Sequence, residues 1–229
     1  MVILLRKKRS WLLYGFLCIE ALLFAMILTT HGKLLVWSEF ISIVLCCLFA
    51  AVHCCKANGW MVFGLVMTVC ADLCLVVWQP MQQLWGMVFF LLAQCCYAIM
   101  LHRQRIRKHW LYIRIGLILL VEGIAVLVLR DKTDPLALVS MCYYVNLILN
   151  LVCACVNFRE NKLLAIGFVL FLLCDTVIGL QMAAGVYLPI AEGSLVYRII
   201  FMDFHLSWFF YLPSQVLIAC TCRNKMLKG

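Results

Sequence analysis

Runs of about 20 apolar residues, separated by short polar stretches, recur along most of this 229-residue chain. A run of that length is what an α-helix needs to cross the hydrocarbon core of a bilayer. Hydrophobic residues make up 67% of the chain and charged residues only 13%, so a water-soluble domain of this size could not cover such runs with polar groups. The runs do not alternate as barrel strands do. Helices are therefore predicted, because they pair every backbone group internally.

The predicted fold class is all-α: a polytopic integral membrane bundle of about eight transmembrane helices, forming a single domain over residues 1–229. The predicted spans are 11–28, 34–55, 59–78, 84–101, 110–130, 135–156, 162–184 and 203–222. Residues 1–28 resemble a signal peptide. Because Glu20 interrupts their apolar core and no small-residue cleavage site follows, we expect this segment to remain as the first span.

The basic residues lie mostly on one side of the predicted bundle, and this bias predicts its orientation. If the N-terminus is cytoplasmic, 14 Lys and Arg residues fall on the cytoplasmic side and 4 on the outer side. The cytoplasmic set is Arg6, Lys7, Lys8, Arg9, Lys56, Arg103, Arg105, Arg107, Lys108, Arg159, Lys162, Arg223, Lys225 and Lys228, and the outer set is Lys33, Arg130, Lys132 and Arg198. Basic residues favour the cytoplasmic side, so we expect both termini in the cytoplasm and a location in the plasma membrane.

Several functions can be set aside. The basic clusters are short and flank the spans, which suits anionic lipid headgroups rather than nucleic acid. The five histidines lie near span ends without metal-ligand spacing, so no metal site is expected. The chain also lacks a G-x-S-x-G elbow and the glycine-rich motifs that bind phosphates or dinucleotides.

Ionisable residues inside a membrane are costly, so those within the spans are the first functional candidates. Asp72 and Asp175 form a matched pair: each follows a glycine by eight residues, Gly64 and Gly167, on a span that starts in the cytoplasm. Both should lie at the same depth, slightly past the midplane. Small residues on the same face allow close helix packing, so the aspartates should point into the bundle, either as functional groups or as hydrogen-bonded structural ones.

Glu20 and Glu122 are two further acidic candidates within the spans, and polar residues accompany the aspartates. For Glu20 and Glu122 we expect a structural ion pair or a position at the lipid interface, with Arg114 two turns before Glu122. The polar companions are Gln94 and Tyr97 in span four, Tyr143, Asn146 and Asn150 in span six, and Tyr211 and Gln215 in span eight. They are interpreted either as the lining of one cavity or as links between helices. Spans three and four match spans seven and eight, which suggests two parallel four-helix repeats.

Three segments resemble the YhhN-like lysoplasmalogenases, a family of eight-span membrane hydrolases. Residues 71–73 and 85–97 are similar to the family's Gly-Asp helix and its G-x-x-x-F-x-x-A-H-x-x-Y helix. Residues 167–180 carry Cys-Asp where the family usually has Ser-Asp. Residues 210–219 are similar to the family's F-Y-x-x-Q-x-L-I helix. Their order and spacing agree with the family, but Ala71, Cys174 and Gln94 replace its Gly, Ser and His. Glutamine cannot relay a proton as histidine can, which puts activity in question.

The resemblance implies hydrolysis of the vinyl ether bond of a lysoplasmalogen, a single-chain ether lysophospholipid, to a fatty aldehyde and a glycerophospho-alcohol. Such chemistry needs an acid and a nearby anion, as in glycosidases, and Asp72 and Asp175 are the predicted pair, one protonated and one ionised. Gln94, Tyr97, Tyr211, Gln215 and Asn146 would orient substrate or water. The partners are then lipids, and no cofactor is implied. The alternatives are a catalytically impaired lipid-binding or transport protein, and a proton-coupled carrier.

Overall fold

The computed structural model describes residues 2–54, 59–78, 80–102, 109–129, 134–184, 188, 190–191, 193–202 and 205–228. Nine α-helices occur in these residues: α1 Val2–Thr29, α2 Lys33–Val52, α3 Gly59–Asp72, α4 Gln83–His102, α5 His109–Leu129, α6 Pro135–Val156, α7 Phe158–Ala183, α8 Leu195–Ile200 and α9 Leu206–Lys228. A π-helix, Leu73–Val77, continues α3. The predicted all-helical membrane bundle is confirmed.

Seven of these helices, α1 to α7, are long and apolar enough to cross a membrane, counting α3 together with its π-helix. The eighth predicted span corresponds to α9, which has 23 residues but is not among the seven. Its middle carries Ser214 and Gln215, and its last turns carry basic residues, so it is more polar than the others. Its polar middle residues are fully buried, because α9 packs against α7 and α2.

The predicted outer segment 185–202 contains a helix that sequence patterns did not predict. Helix α8 spans only six residues, Leu195–Ile200, and Ser194 caps it by accepting a hydrogen bond from the Tyr197 backbone N–H at 3.2 Å. The side-chain amide of Gln181 on α7 donates to the backbone carbonyl of Ile200. A helix this short is too brief for its periodicity to stand out in the sequence, and it depends on such contacts for its position.

The packing order repeats in the two halves of the chain. Helix α3 packs against α4 as α7 packs against α9, and α2–α3 corresponds to α6–α7. The halves meet through two further equivalent contacts, α4–α6 and α2–α9. This arrangement supports the suggested pair of parallel four-helix repeats, with α8 inserted into the second.

Two glycines on the aspartate-bearing helices allow the close packing predicted from sequence. A Cβ atom on Gly64 would overlap the ring of Tyr97 on α4. A Cβ on Gly167 would lie 3.1 Å from Ile218 and 3.2 Å from the Ser214 carbonyl oxygen on α9. Tyr97 and Ile218 each follow a buried glutamine by three residues, so the two contacts are equivalent. Gly179, further along α7, differs: none of the described residues comes within 4 Å of a Cβ placed there.

Candidate functional site

Asp72 lies at the junction between α3 and the π-helix, with only 3% of its surface exposed. Its Oδ2 accepts a hydrogen bond of 2.7 Å from the hydroxyl of Tyr211, which α9 brings from the second half of the chain. The π-helix is closed by the wide hydrogen bond from the Trp78 N–H to the Leu73 carbonyl. Single π-turns inside α-helices often occur at functional sites, and this one starts directly after the carboxyl-bearing residue.

Asp175 occupies the equivalent position on α7 and also receives a tyrosine hydroxyl. Tyr143 on α6 donates a hydrogen bond to Asp175 Oδ2. The following residue on each helix adds a second hydrogen bond between α6 and α7, since the Tyr144 and Thr176 hydroxyl oxygens lie 2.8 Å apart. Asp175 is partly exposed whereas Tyr143 is buried. The second carboxyl is therefore held by an interior tyrosine and is the more accessible of the two.

Aromatic rings connect the two tyrosine–aspartate pairs. The Phe90 ring centroid lies 5.8 Å from that of Tyr143, 5.8 Å from that of Phe171 and 6.2 Å from that of Tyr211. Phe171 closes the group, at 6.4 Å from Tyr143 and 5.5 Å from Tyr211. All four side chains are buried, so both carboxyls border one cluster of rings from α4, α6, α7 and α9.

The carboxyl groups of Asp72 and Asp175 lie close enough for their charges to interact, as the shared aromatic cluster implies. A third carboxyl, that of Glu39 on α2, is also within electrostatic range of Asp72 and is 6% exposed. Three acids near one another in a low-dielectric interior cannot all be ionised without a large energetic cost. Asp72 therefore has two carboxyl neighbours whose negative charges would oppose its own.

Tyr97 on α4 and Gln215 on α9, predicted to orient substrate or water, lie away from the two aspartate carboxyls. Tyr97 packs on Gly64, two turns before Asp72, with its hydroxyl near Thr68. Gln215 lies one turn after Tyr211 and donates to the Ser214 hydroxyl oxygen at 3.3 Å. Both are fully buried. Of the predicted orienting residues, Tyr211 alone is seen to hydrogen-bond one of the two aspartates within the described ranges.

Gln94 and Asn146 belong to a second polar cluster. The Asn150 side-chain amide donates to both the backbone and side-chain carbonyl oxygens of Gln94, each at 2.8 Å. Arg114 on α5 donates to the side-chain oxygens of Asn146 and Asn150, also at 2.8 Å. Asn146 lies one turn along α6 from Tyr143, so this cluster adjoins the aspartate site without being part of it.

The expectation for Glu20 and the pairing of Glu122 with Arg114 need correction. Glu20 is 3% exposed, so it does not lie at the lipid interface, and its carboxylate accepts a weak hydrogen bond from the Cys46 thiol at 3.5 Å. It points inward because α1 packs on α2 and α9. Arg114 is directed at the α6 asparagines, so it forms no ion pair with Glu122.

Glu39 and Arg114 were not among the predicted site residues. Glu39 had a recognisable signal: Ser38 and Ser42 flank it, and this polar patch within an apolar span is buried on α2. Arg114 was recognised as the one basic residue inside a span, but its partners lie on α6, more than 30 positions away. No spacing within α5 could identify them.

Within the described ranges, no three His, Cys, Asp or Glu side chains come together in a group that could hold a metal ion. Fold and site together define a polytopic helical membrane protein with two tyrosine-bound aspartates, one from each of two similar halves. The model of the YhhN family matches residues 36–222. The chain therefore belongs to the YhhN family, which is the lysoplasmalogenase family. No curated protein and no solved structure matches it.

Proposed function

We propose that this protein is a membrane-embedded hydrolase that cleaves the vinyl ether bond of lysoplasmalogens. The observation that carries the proposal is the pairing of Asp72 with Tyr211 and of Asp175 with Tyr143 around one buried aromatic cluster. Membership of the YhhN family supports the same class of reaction. The substrate is a single-chain lysophospholipid, which the surrounding bilayer can deliver without passage through water.

The reaction begins with a proton transfer to carbon. One carboxylic acid of the pair protonates the vinyl carbon distal to the ether oxygen, and the adjacent carbon and oxygen then share the positive charge of an oxocarbenium ion. The second carboxylate faces this charge, and water adds to the carbon bonded to oxygen while a carboxylate of the pair takes up the proton that the water loses. The resulting hemiacetal collapses to a fatty aldehyde and the glycerophospho-alcohol. Two carboxyls with different charges perform the comparable tasks in glycosidases.

The chain's other side chains support these steps. A tyrosine hydroxyl on each carboxyl fixes which oxygen remains available to the substrate. The faces of Phe90 and Phe171 carry negative quadrupole density and can stabilise a transient cation between the carboxyls. The same rings exclude bulk water, which strengthens the interaction between the carboxylate and the oxocarbenium ion.

The decisive experiment is aldehyde release by the purified full-length protein. We expect a lysoplasmalogen to yield a fatty aldehyde, measured by mass spectrometry. The 1-O-alkyl lysophospholipid of the same chain length should yield none, because it has no double bond to protonate. Absence of aldehyde from lysoplasmalogens of several headgroups and chain lengths would refute the proposed reaction.

A second candidate is a lipid-binding or transport protein on the same fold, and Gln94 favours it. Glutamine stands where the resemblance expects histidine, and its side chain is engaged with Asn150 rather than with either aspartate. On this reading the two aspartates are structural. Lipid would bind without being cleaved, and binding would survive substitution of Asp72 and Asp175 by asparagine.

Gln94→His tests whether the missing histidine matters. Histidine titrates near neutrality and glutamine does not. We therefore expect the variant to raise the rate or to shift the pH optimum, with a new titration between about pH 5 and 8. Gln94→Asn is the matched control and should add no such titration. Identical pH–rate profiles for Gln94→His and wild type would show that this position is not coupled to proton transfer.

The charge bias makes a separate prediction about topology in the plasma membrane. We expect a reporter fused after residue 229 to be active only in its cytoplasmic form, because 14 of the 18 Lys and Arg residues at or beyond the span ends fall on that side. A tag inserted within 185–202 should react with an impermeant reagent on intact cells. External labelling of the C-terminal fusion would reverse the proposed orientation.

A further inference from the structure

Arg114 is a cation inside a membrane-spanning helix that has no anionic partner in the described part of the chain. Only 7% of its surface is exposed. Its guanidinium donates to two neutral amide oxygens, those of Asn146 and Asn150, and otherwise lies near the Cys153 thiol. Amide oxygens satisfy hydrogen bonds but do not neutralise charge, and an unpaired buried cation is costly. A bound anion would neutralise the positive charge of Arg114 in this arrangement.

Unused hydrogen-bond donors surround this guanidinium. Asn150 donates to the Gln94 side-chain carbonyl oxygen, and the Gln94 Nε2 group is buried with no hydrogen-bond partner in the part of the chain that the structure describes. His102, in the last turn of α4, lies within electrostatic range of Arg114, and neither of its ring nitrogens has a hydrogen-bond partner among the described residues. Buried donors without acceptors are rare in folded proteins. Here the amide lies on the side chain that Asn150 links to the arginine, and the imidazole lies within electrostatic range of the same arginine.

The position of the cluster along α6 relates it to the aspartate site. Tyr143, which binds Asp175, precedes Asn146 by one turn and Asn150 by two. At 1.5 Å per residue the Arg114 cluster therefore lies about 5–10 Å along the helix axis from the carboxyl pair. It lies toward the end of the bundle at which α4 ends and α5 begins, the cytoplasmic end in the proposed topology. A glycerol backbone spans a comparable distance between its phosphate and its sn-1 ether oxygen.

We propose that Arg114, with Gln94 and His102, binds the phosphate of the lysophospholipid substrate. This assignment rests on the proposed function for the identity of the lipid. Arginine recognises phosphate through parallel N–H···O bonds. Here the two asparagines of α6 hold the guanidinium group of Arg114 in place. With the phosphate at this cluster, the vinyl ether reaches Asp72 and Asp175 and the hydrocarbon chain continues toward the outer leaflet. A headgroup entering from the cytoplasmic leaflet meets Arg114 first.

The test uses lipids that cannot be cleaved, so that binding is measured apart from catalysis. Purified full-length protein in a phosphate-free detergent is titrated with a 1-O-alkyl lysophosphatidylethanolamine and with the 1-O-alkylglycerol of the same chain, following tryptophan fluorescence. Arg114→Gln should weaken binding of the phosphate-bearing lipid by at least about 30-fold, the effect of losing a buried charge pair. It should leave the affinity for the alkylglycerol unchanged. The affinity of Arg114→Lys for the phosphate-bearing lipid should lie between those of wild type and Arg114→Gln, since lysine keeps the positive charge but lacks the planar guanidinium.

Arg159→Gln is the matched control, because Arg159 is exposed and lies at the same end of the bundle. It should change neither affinity. If Arg114 is purely structural, Arg114→Gln will weaken the binding of both ligands equally, and this result would overturn the proposal. Two other results would also overturn it. One is a diacyl phosphatidylethanolamine that binds as tightly as the lysolipid, and the other is displacement of the lysolipid by inorganic phosphate at matched concentration. If only Arg114→Lys is stable enough to measure, a weakened preference for the phosphate-bearing lipid over the alkylglycerol is the required result. Missing aldehyde release would refute the hydrolase but not this binding site.

Discussion

Asp72→Asn and Asp175→Asn should each reduce aldehyde release from a lysoplasmalogen by on the order of 10²–10⁴-fold, the usual contribution of a positioned acid or base. An amide cannot deliver the proton to the vinyl carbon, and it carries no charge to oppose the oxocarbenium ion. In the proposed reaction the two carboxyls act on the same intermediate, so the double variant should be little slower than either single one. The rates are measured with purified protein under single-turnover conditions.

Asp134→Asn provides a matched control for this substitution. Asp134 is exposed and caps α6 by accepting a hydrogen bond from the Ala137 backbone N–H, and asparagine caps helices equally well. This variant should keep full activity. Elution volume and melting temperature establish that the Asp72 and Asp175 variants remain folded. Retention of more than about a tenth of the wild-type rate by either would remove that residue from the acid–carboxylate pair.

Gly64→Leu should prevent most of the protein from reaching its folded form. A side chain at this position has no room, because even its Cβ would overlap the Tyr97 ring. Overpacking a filled site costs about 1–3 kcal/mol and sometimes more, and here it would separate α3 from α4 beside the candidate site. The expected result is a low yield of monodisperse protein by size-exclusion chromatography and a lowered melting temperature for the remainder.

Gly116→Leu is the corresponding control on α5. Gly116 is exposed, with no atom near the position of a Cβ, and leucine is favourable in lipid. We expect normal yield and stability. The cause can be isolated further with Gly64→Ala combined with Tyr97→Leu, which removes the ring that the new methyl group meets. If Gly64→Leu folds as well as Gly116→Leu, the close approach of α3 and α4 does not limit stability.

Much of the fold follows from short-range sequence properties. Apolar length and flanking charge predict each helix separately, and a glycine eight residues before an acid predicts which face of α3 and α7 turns inward. Asp72 and Asp175 could be selected because burying a charge in lipid is costly wherever the neighbouring helices lie. These predictions need no knowledge of which helices are neighbours.

The partners of these residues could not be predicted in the same way. Gln94 was grouped with the aspartates because it lies at a similar depth, but depth does not specify angular position around the bundle. The contact between α4 and α6 turns Gln94 toward Asn150, and α5 then supplies Arg114 to both asparagines of α6. The π-helix after Asp72 is also invisible in the sequence, because one additional residue in a turn leaves composition and hydropathy unchanged.

The two halves repeat their helices but not the side chains around their acids. The helix before each aspartate helix contributes a different side chain. Helix α6 supplies Tyr143, which hydrogen-bonds Asp175, whereas α2 supplies Glu39, whose carboxyl lies within electrostatic range of Asp72. Each half also has a buried glutamine with an aromatic residue four positions before it. In the second half this residue is Tyr211, which hydrogen-bonds Asp72, and in the first half it is Phe90, which has no hydroxyl to donate. A perfectly symmetric dimer of one half would hold two indistinguishable carboxyls, unable to divide the work of acid and anion. Fusing the halves into one chain permits each aspartate its own surroundings, and with them a separate task.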